Sequence, residues 1–160
     1  MAIKAGDKLP DATFMEMGAD GPGPVSTADV FGGKTIALFA VPGAFTPTCS
    51  VKHLPGYIEK AAELAGKGVD QIVCTSVNDV FVMSEWGKSS GADGKVRMLA
   101  DGNGAFTQSL GLELDASGFG MGQRSQRYSM IVKDGVVSEL NVEEGGSFEV
   151  SSAEYLLGQL

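Results

Sequence analysis

Residues 34–49 read Lys34-Thr-Ile-Ala-Leu-Phe-Ala-Val-Pro-Gly-Ala-Phe-Thr-Pro-Thr-Cys49. The run up to Val41 is almost continuously apolar and is bounded by Gly32-Gly33 and Pro42-Gly43, which predicts a strand buried on both faces. Thr46 is a good N-cap and Pro47 suits the first helical position, so a helix is expected to start there. A buried strand that passes through a short Pro-Gly loop into a helix is the building unit of an α/β sheet.

The same reading extends outward in both directions. From 47 to 66, Leu54, Ile58, Ala61, Ala62 and Leu64 recur at helical spacing, with Gly66 and Gly68 as the stop. Pro55 falls inside this helix and is expected to kink it near its start. Val69–Val77 is a second apolar strand, and Asp79–Lys88 a helix capped by Asn78 or Asp79. Val96–Ala100 is a short strand and Ala105–Leu110 a short helix. Tyr128–Val132 and Val136–Val142 flank Asp134-Gly135, a strong hairpin signal. Ser152–Leu160 closes the chain as a helix capped by Ser151 or Ser152. Residues 18–24, rich in Gly and Pro, read as a loop, and Gly118-Phe-Gly-Met-Gly122 as a flexible one. Alternation early and a hairpin late predict an α/β fold: a mixed central β-sheet with helices on both faces, in a single domain over 1–160. Ligand sites in such sheets lie where a strand's carboxyl end meets a helix, and Pro42–Thr48 occupies that place.

Composition narrows the chemistry. The chain has 160 residues, is 43% hydrophobic and 20% charged, and carries a net charge of −8. Its acidity disfavours nucleic acid as a partner. No segment approaches the ~20 apolar residues of a membrane span. Met1–Pro10 lacks the apolar core of a signal peptide, so the expected address is cytoplasmic, or an organelle if a transit peptide has been removed. Two cysteines and one histidine are too few for a disulfide scaffold or a Cys/His zinc site, and no metal or organic cofactor is expected. Cys-x-x-Cys and Gly-x-Ser-x-Gly are absent. Asp101-Gly-Asn103 resembles the start of a calcium loop, but Leu112 stands where such a loop needs its bidentate Glu.

Cys49 is the residue of interest. In the first turn of the helix it faces unpaired backbone N–H groups and the positive end of the dipole, an environment that favours a thiolate. His53 lies one turn on, on the same face. A buried cysteine is more often a small apolar residue than a nucleophile. The strand, Pro-Gly, Thr-Pro, helix context raises Cys49 above that background to a reactive thiol.

Pro42-x-x-x-Thr46-x-x-Cys49 resembles the active-site signature of the peroxiredoxins. The fuller stretch Val41–Ser50, followed by His53-Leu-Pro-Gly56, is similar to the peroxiredoxin-5 or type II subfamily. The similarity continues through Ser76-Val-Asn-Asp79, Glu85-Trp-Gly87, Leu99-Ala-Asp101, Arg127-Tyr-Ser-Met130 and Asp134-Gly135, from about Gly6 to Leu160. The resemblance implies a thioredoxin-like fold and a thiol peroxidase acting on hydrogen peroxide and alkyl hydroperoxides in antioxidant defence. It implies Cys49 as the peroxidatic thiolate and Thr46 as its orienting hydroxyl. Pro42 would shield the pocket, Arg127 would hold thiolate and peroxide together, and His53 would support them. It also implies a homodimer, with Phe45, Trp86 and Phe119 lining its surface unless they are core aromatics.

Recycling leaves two routes open. Cys74, 25 residues after Cys49, sits in an apolar strand and reads either as a core thiol or, on the resemblance, as the resolving partner. The C-terminal stretch Gly146–Ser152, where animal-type relatives carry a resolving cysteine, has none. Either Cys74 closes a disulfide, or glutathione with glutaredoxin (or thioredoxin) reduces Cys49 directly. Arg124 reads as a loop surface charge. A protein that merely relays an oxidation signal is the competing reading, and the complete Pro42, Thr46, Cys49, Arg127 set favours the enzyme.

Overall fold

In the computed structural model, which describes residues 2–160, the chain begins with β1 (Thr13–Gly18), β2 (Gly21–Ser26), α1 (Thr27–Phe31) and β3 (Thr35–Val41). A π turn over Cys49–His53 leads into α2 (Leu54–Glu59) and α3 (Ala61–Gly66), followed by β4 (Gln71–Ser76), α4 (Val80–Ser90), β5 (Arg97–Ala100) and α5 (Ala105–Leu110). β6 (Glu113–Asp115), β7 (Gln123–Ser125), β8 (Tyr128–Lys133), β9 (Val136–Val142) and α6 (Ala153–Leu157) complete it.

Seven strands form one mixed sheet in the order β2-β1-β5-β4-β3-β8-β9. β4 runs parallel to β3 and β5, whereas β8 and β9 return antiparallel. β3 shows why its sequence is apolar throughout. Ala37, Phe39 and Val41 face one core, with Leu54, Tyr57, Cys74, Trp86 and Leu156, while Ile36, Leu38 and Ala40 face the other, with Phe14, Phe106, Leu110 and Met130. Helices α2, α3, α4 and α6 cover the first face and α1 and α5 the second, so helices lie on both faces as expected. Each large apolar side chain fully buried in this way contributes roughly 1.5–3 kcal/mol relative to exposure.

The turn chemistry agrees with the sequence. Asp134 (φ 48°) and Gly135 (φ 77°) both take left-handed backbone, as a two-residue turn whose twist matches the strands requires. Asp79 caps α4 by accepting from the Val82 N–H at 2.9 Å, and Ser152 caps α6 by accepting from Tyr155 at 3.1 Å.

Two expectations need correction. Residues 18–24 are not simply a loop: Gly21–Ser26 is strand β2, paired with all of β1. Its two prolines are tolerated because β2 is the edge of the sheet and owes no N–H to a second neighbour. The single helix over 47–66 is broken at Lys60 and opens with a π turn. Gly118–Gly122, expected as a loop, connects β6 and β7, which pair as a separate two-stranded ribbon.

Candidate active site

The site begins where β3 ends. Pro42 is half-buried, and the chain turns through Ala44 and Phe45, whose φ of 65° is left-handed. That conformation is costly for a bulky residue and persists only where the surroundings hold it. They do so from several sides. The Asn78 side-chain oxygen accepts from the Ala44 N–H at 2.9 Å and from the Ser76 hydroxyl. Gly43 is packed closely enough that a Cβ there would stand 3.1 Å from Thr46 Cγ2 and 3.2 Å from Met121 Cε. Arg124 pins the neighbouring chain, donating to Met121 O and to Val77 O at 2.9 Å each.

The helix then starts with a Ser50 N–H to Thr46 carbonyl bond of 2.9 Å. Four residues after Val51 stands Pro55, which has no N–H and whose ring would crowd the Val51 carbonyl. The chain answers by widening into a π turn, in which the Leu54 N–H reaches the Cys49 carbonyl five residues back. The expected kink at Pro55 is thus taken up as a π turn directly after Cys49, a device that recurs at functional sites.

Cys49 is fully buried. Thr46 Oγ1 lies 2.9 Å from its sulfur, and one Nη of Arg127 donates to it at 3.0 Å. Thr46 Oγ1 is also 2.7 Å from the Gly43 carbonyl. One hydroxyl proton serves both geometries. When Cys49 is a thiol, its S–H donates to Oγ1 while the hydroxyl donates to Gly43. When Cys49 is a thiolate, the hydroxyl turns to donate to sulfur. With the guanidinium N–H, that gives a thiolate two donors, one of them charged.

Arg127 immediately precedes β8, beside β3. Its other terminal nitrogen stands 2.8 Å from His53 Nδ1, and His53 Nε2 stands 2.9 Å from the Ser151 carbonyl. A guanidinium cannot accept and a carbonyl cannot donate, so the imidazole is neutral with its proton on Nε2. Burial, then the charge of Arg127, lowers the His53 pKa to about 3, against a smaller upward pull from Ser151. The ring packs against Phe39, Tyr57 and Phe148.

Of the residues singled out from sequence, Cys49, Thr46, Arg127 and His53 form one connected cluster, with Pro42 at the head of the loop. Cys74 lies on β4, opposite Phe39, and is fully buried in the same core as Cys49. Burial and the neighbouring Cys49 push its thiol well above the usual range, against the pull of Arg127. Two expectations change. Arg124 is not a free surface charge, for both its bonds go to backbone carbonyls around the site loop. Trp86 is a core residue, 1% exposed, donating to Ser50 Oγ, whereas Phe45 and Phe119 are exposed at 52% and 87%. Sequence reasoning read Asn78, in Ser76-Val-Asn-Asp79, and Ser151 only as helix caps and passed over Glu143. Nothing local ties Ser151 to His53, 98 residues away, or marks Glu143 as the anchor of residues 149–151.

A profile of the Redoxin family matches residues 4–157. The chain is 55% identical to the chloroplastic peroxiredoxin-2E-2 of Oryza sativa, over 99% of this chain and 72% of that protein. It is 50% identical to peroxiredoxin-2B of Arabidopsis thaliana, over 99% and 98%. Among solved structures, reduced Prx3 of Vibrio vulnificus in complex with H2O2 superposes with a TM-score of 0.95 at 53% identity, covering 98% of each chain. Peroxiredoxin 5 of Alvinella pompejana gives 0.85 at 37% identity, over 97% and 96%. A buried sulfur met by a hydroxyl and a guanidinium is therefore found within a thioredoxin-like fold shared along the whole chain, and the chain belongs to the Redoxin family and, within it, to the peroxiredoxins of the type II, peroxiredoxin-5-like kind, which are thiol-dependent peroxidases.

Proposed function

We propose that Cys49 is the peroxidatic residue of a single catalytic domain spanning 1–160, and that Thr46, Arg127 and Pro42 complete its site. The observation that carries this reading is the convergence of Thr46 Oγ1 and an Arg127 Nη on the buried Cys49 sulfur. The thiolate attacks one oxygen of the hydroperoxide in line. The S–O bond forms as the O–O bond breaks, and two electrons pass from sulfur to the peroxide. Alkoxide or hydroxide leaves and takes a proton to become alcohol or water. Arg127 and the Thr46 hydroxyl stabilise the charge that moves from sulfur to the leaving oxygen. Pro42, at the head of the loop, limits access of water. Cys49 is left as a sulfenic acid.

An external thiol then condenses with the sulfenic acid, releasing water, and a second thiol reduces the mixed disulfide. We propose glutathione with glutaredoxin, or thioredoxin, as that donor, and Cys74 as a candidate resolving residue only if the site opens. Exposed Phe45, Phe81 and Phe119 support a homodimer. No helix among the described residues is long and apolar enough to cross a membrane, and we propose a cytoplasmic address. Since two similar plant proteins carry chloroplastic names, an organelle is the alternative.

The test is stopped-flow mixing of the reduced protein with hydrogen peroxide. The wild type should lose one thiol quickly and gain one oxygen, and Cys49→Ser should consume no peroxide. Retention of the rate by Cys49→Ser would end this reading.

A further inference from the structure

We infer that Glu143 is a positioning residue, which sets the aim of Arg127 at Cys49 through the segment 148–151 and His53. The inference rests on the assignment of Cys49 and Arg127 just proposed, and no step of that chemistry requires Glu143 itself.

Glu143 follows the last residue of β9, and its two ends grip different parts of the molecule. Its backbone N–H donates to the Arg127 carbonyl at 2.9 Å, extending the β8–β9 ladder by one bond. Its carboxylate collects the other side. It accepts from the N–H groups of Glu149, Val150 and Ser151 at 2.8–3.0 Å, and from the Ser151 hydroxyl. Glu143 is 8% exposed. A carboxylate so buried would be costly without partners, and here every partner comes from one short stretch of irregular backbone. Burial pushes its pKa up, but the donors of 149–151 outweigh it and the carboxyl titrates below its ordinary range.

That stretch has no strand or helix of its own to fix it, yet its position is exact where it meets the site. The Ser151 carbonyl accepts from both His53 Nε2 and the Tyr57 hydroxyl at 2.9 Å. It thereby holds the His53 proton on Nε2 and leaves Nδ1 as the acceptor for Arg127. Phe148, at the other end of the stretch, packs edge-on against His53 at 5.0 Å, with the Arg127 guanidinium 5.9 Å from its ring centre. Arg127 is thus held at its backbone by Glu143 N–H and at one terminal nitrogen by His53, and its second terminal nitrogen is free to point at sulfur. A guanidinium that turns away from Nδ1 loses the contact that fixes the angle at which its other N–H meets Cys49. The order of dependence is Glu143, Ser151, His53, Arg127, Cys49.

His53 is the only histidine of the chain, so a sample labelled with ¹⁵N in histidine reports one imidazole. In the wild type at neutral pH, Nε2 should show the shift of a protonated ring nitrogen and Nδ1 that of an unprotonated one. Finding the proton on Nδ1, or a charged ring, overturns the inference without any variant. In Glu143→Gln, whose amide brings N–H groups against a row of donors, the two nitrogens should average toward a tautomer mixture. The second-order rate with hydrogen peroxide should fall about tenfold, the usual loss when an outer partner of a reactive group is removed. Because the effect travels through His53, adding Glu143→Gln to His53→Gln should cost little further. Arg127→Lys leaves the charge in place, so Arg127→Ala is the variant that separates the two claims. If it keeps the rate, the assignment of the site itself is wrong. If it slows the reaction while Glu143→Gln alters neither the spectrum nor the rate, the role of Glu143 alone is wrong. Should Glu143→Gln not fold, Ser151→Ala removes one donor from the same carboxylate. It should move both readouts the same way by less, and no movement in either counts against Glu143.

Discussion

Arg127 spends two of its N–H groups on two different acceptors, the Cys49 sulfur and His53 Nδ1. A lysine ammonium keeps the charge but lacks the planar fork that spans both. Arg127→Lys is therefore expected to lower the second-order rate with peroxide by roughly 10²–10³-fold, as loss of one preorganised donor to a developing oxyanion does elsewhere. Stopped-flow kinetics measure it, and a loss under threefold would show that charge alone suffices. His53 makes a second prediction, on stability. Burial and the Arg127 charge hold its folded pKa down at about 3, against an ordinary 6.5, so between those values the unfolded chain binds a proton that the folded one refuses. Stability is then full above about pH 6.5 and falls as pH drops toward about 3, on the order of several kcal/mol from this residue. Glu143, whose folded pKa is also lowered, loses its contribution in the same direction as it protonates. Urea midpoints from pH 7 down to 4 should decline in the wild type, and the slope should be shallower in His53→Gln. Equal slopes would mean that the imidazole is not held neutral. At this scale the sequence was partly legible. Cys49 and Thr46 are three residues apart on one turn, so the pattern exposes them. Arg127 is 78 residues from Cys49 and became visible only through family resemblance. Glu143 and Ser151, bound by contacts from irregular backbone, left no periodic trace.

Elements were legible where period and punctuation agreed. Ala105–Leu110 and Val136–Val142 match their strands and helices residue for residue, because a left-handed Gly111 ends the first and Asp134-Gly135 opens the second. β2 was hidden because its residues, Gly-Pro-Gly-Pro-Val-Ser, are those of turns. Only its place at the sheet edge, a tertiary fact, lets them be a strand. The π turn was hidden for a related reason: Pro55 signals a distortion but not its form. α4 carries a constraint that no pattern shows. Gly87 on its buried face lies so close to β5 that an added Cβ would meet Met98 Cγ at 2.7 Å. In an exposed helix Gly→Ala would be favourable by up to ~1 kcal/mol. Here overpacking reverses the sign, and Gly87→Ala is expected to cost about 1–3 kcal/mol, read as a lower urea midpoint. A stabilised variant would show that Met98 swings aside freely.

At the level of the whole molecule, the question is how the oxidised site is reset. Cys74 sits in β4, between β3 and β5 and hydrogen-bonded to both. Its backbone cannot shift without breaking the middle of the sheet. Any movement that a disulfide with Cys49 needs therefore falls on the π turn and the start of the helix, which is irregular, interrupted at Lys60 and more easily opened. Cys74 is also a poor nucleophile where it lies, since burial and the nearby Cys49 hold its thiol protonated well above the usual range. Both arguments favour an external thiol as the partner of the sulfenic acid proposed at Cys49. We expect Cys74→Ser to turn over peroxide at close to the wild-type rate with glutathione and glutaredoxin. We also expect the wild type, oxidised by a slight excess of peroxide without reductant, to gain one oxygen and keep one titratable thiol. Loss of both thiols with a mass lower by two hydrogens, joined to failure of Cys74→Ser to turn over, would reverse the conclusion. In that case hydrogen exchange should show the segment 47–54 opening on oxidation while β4 stays protected, because the sheet is the part that cannot move.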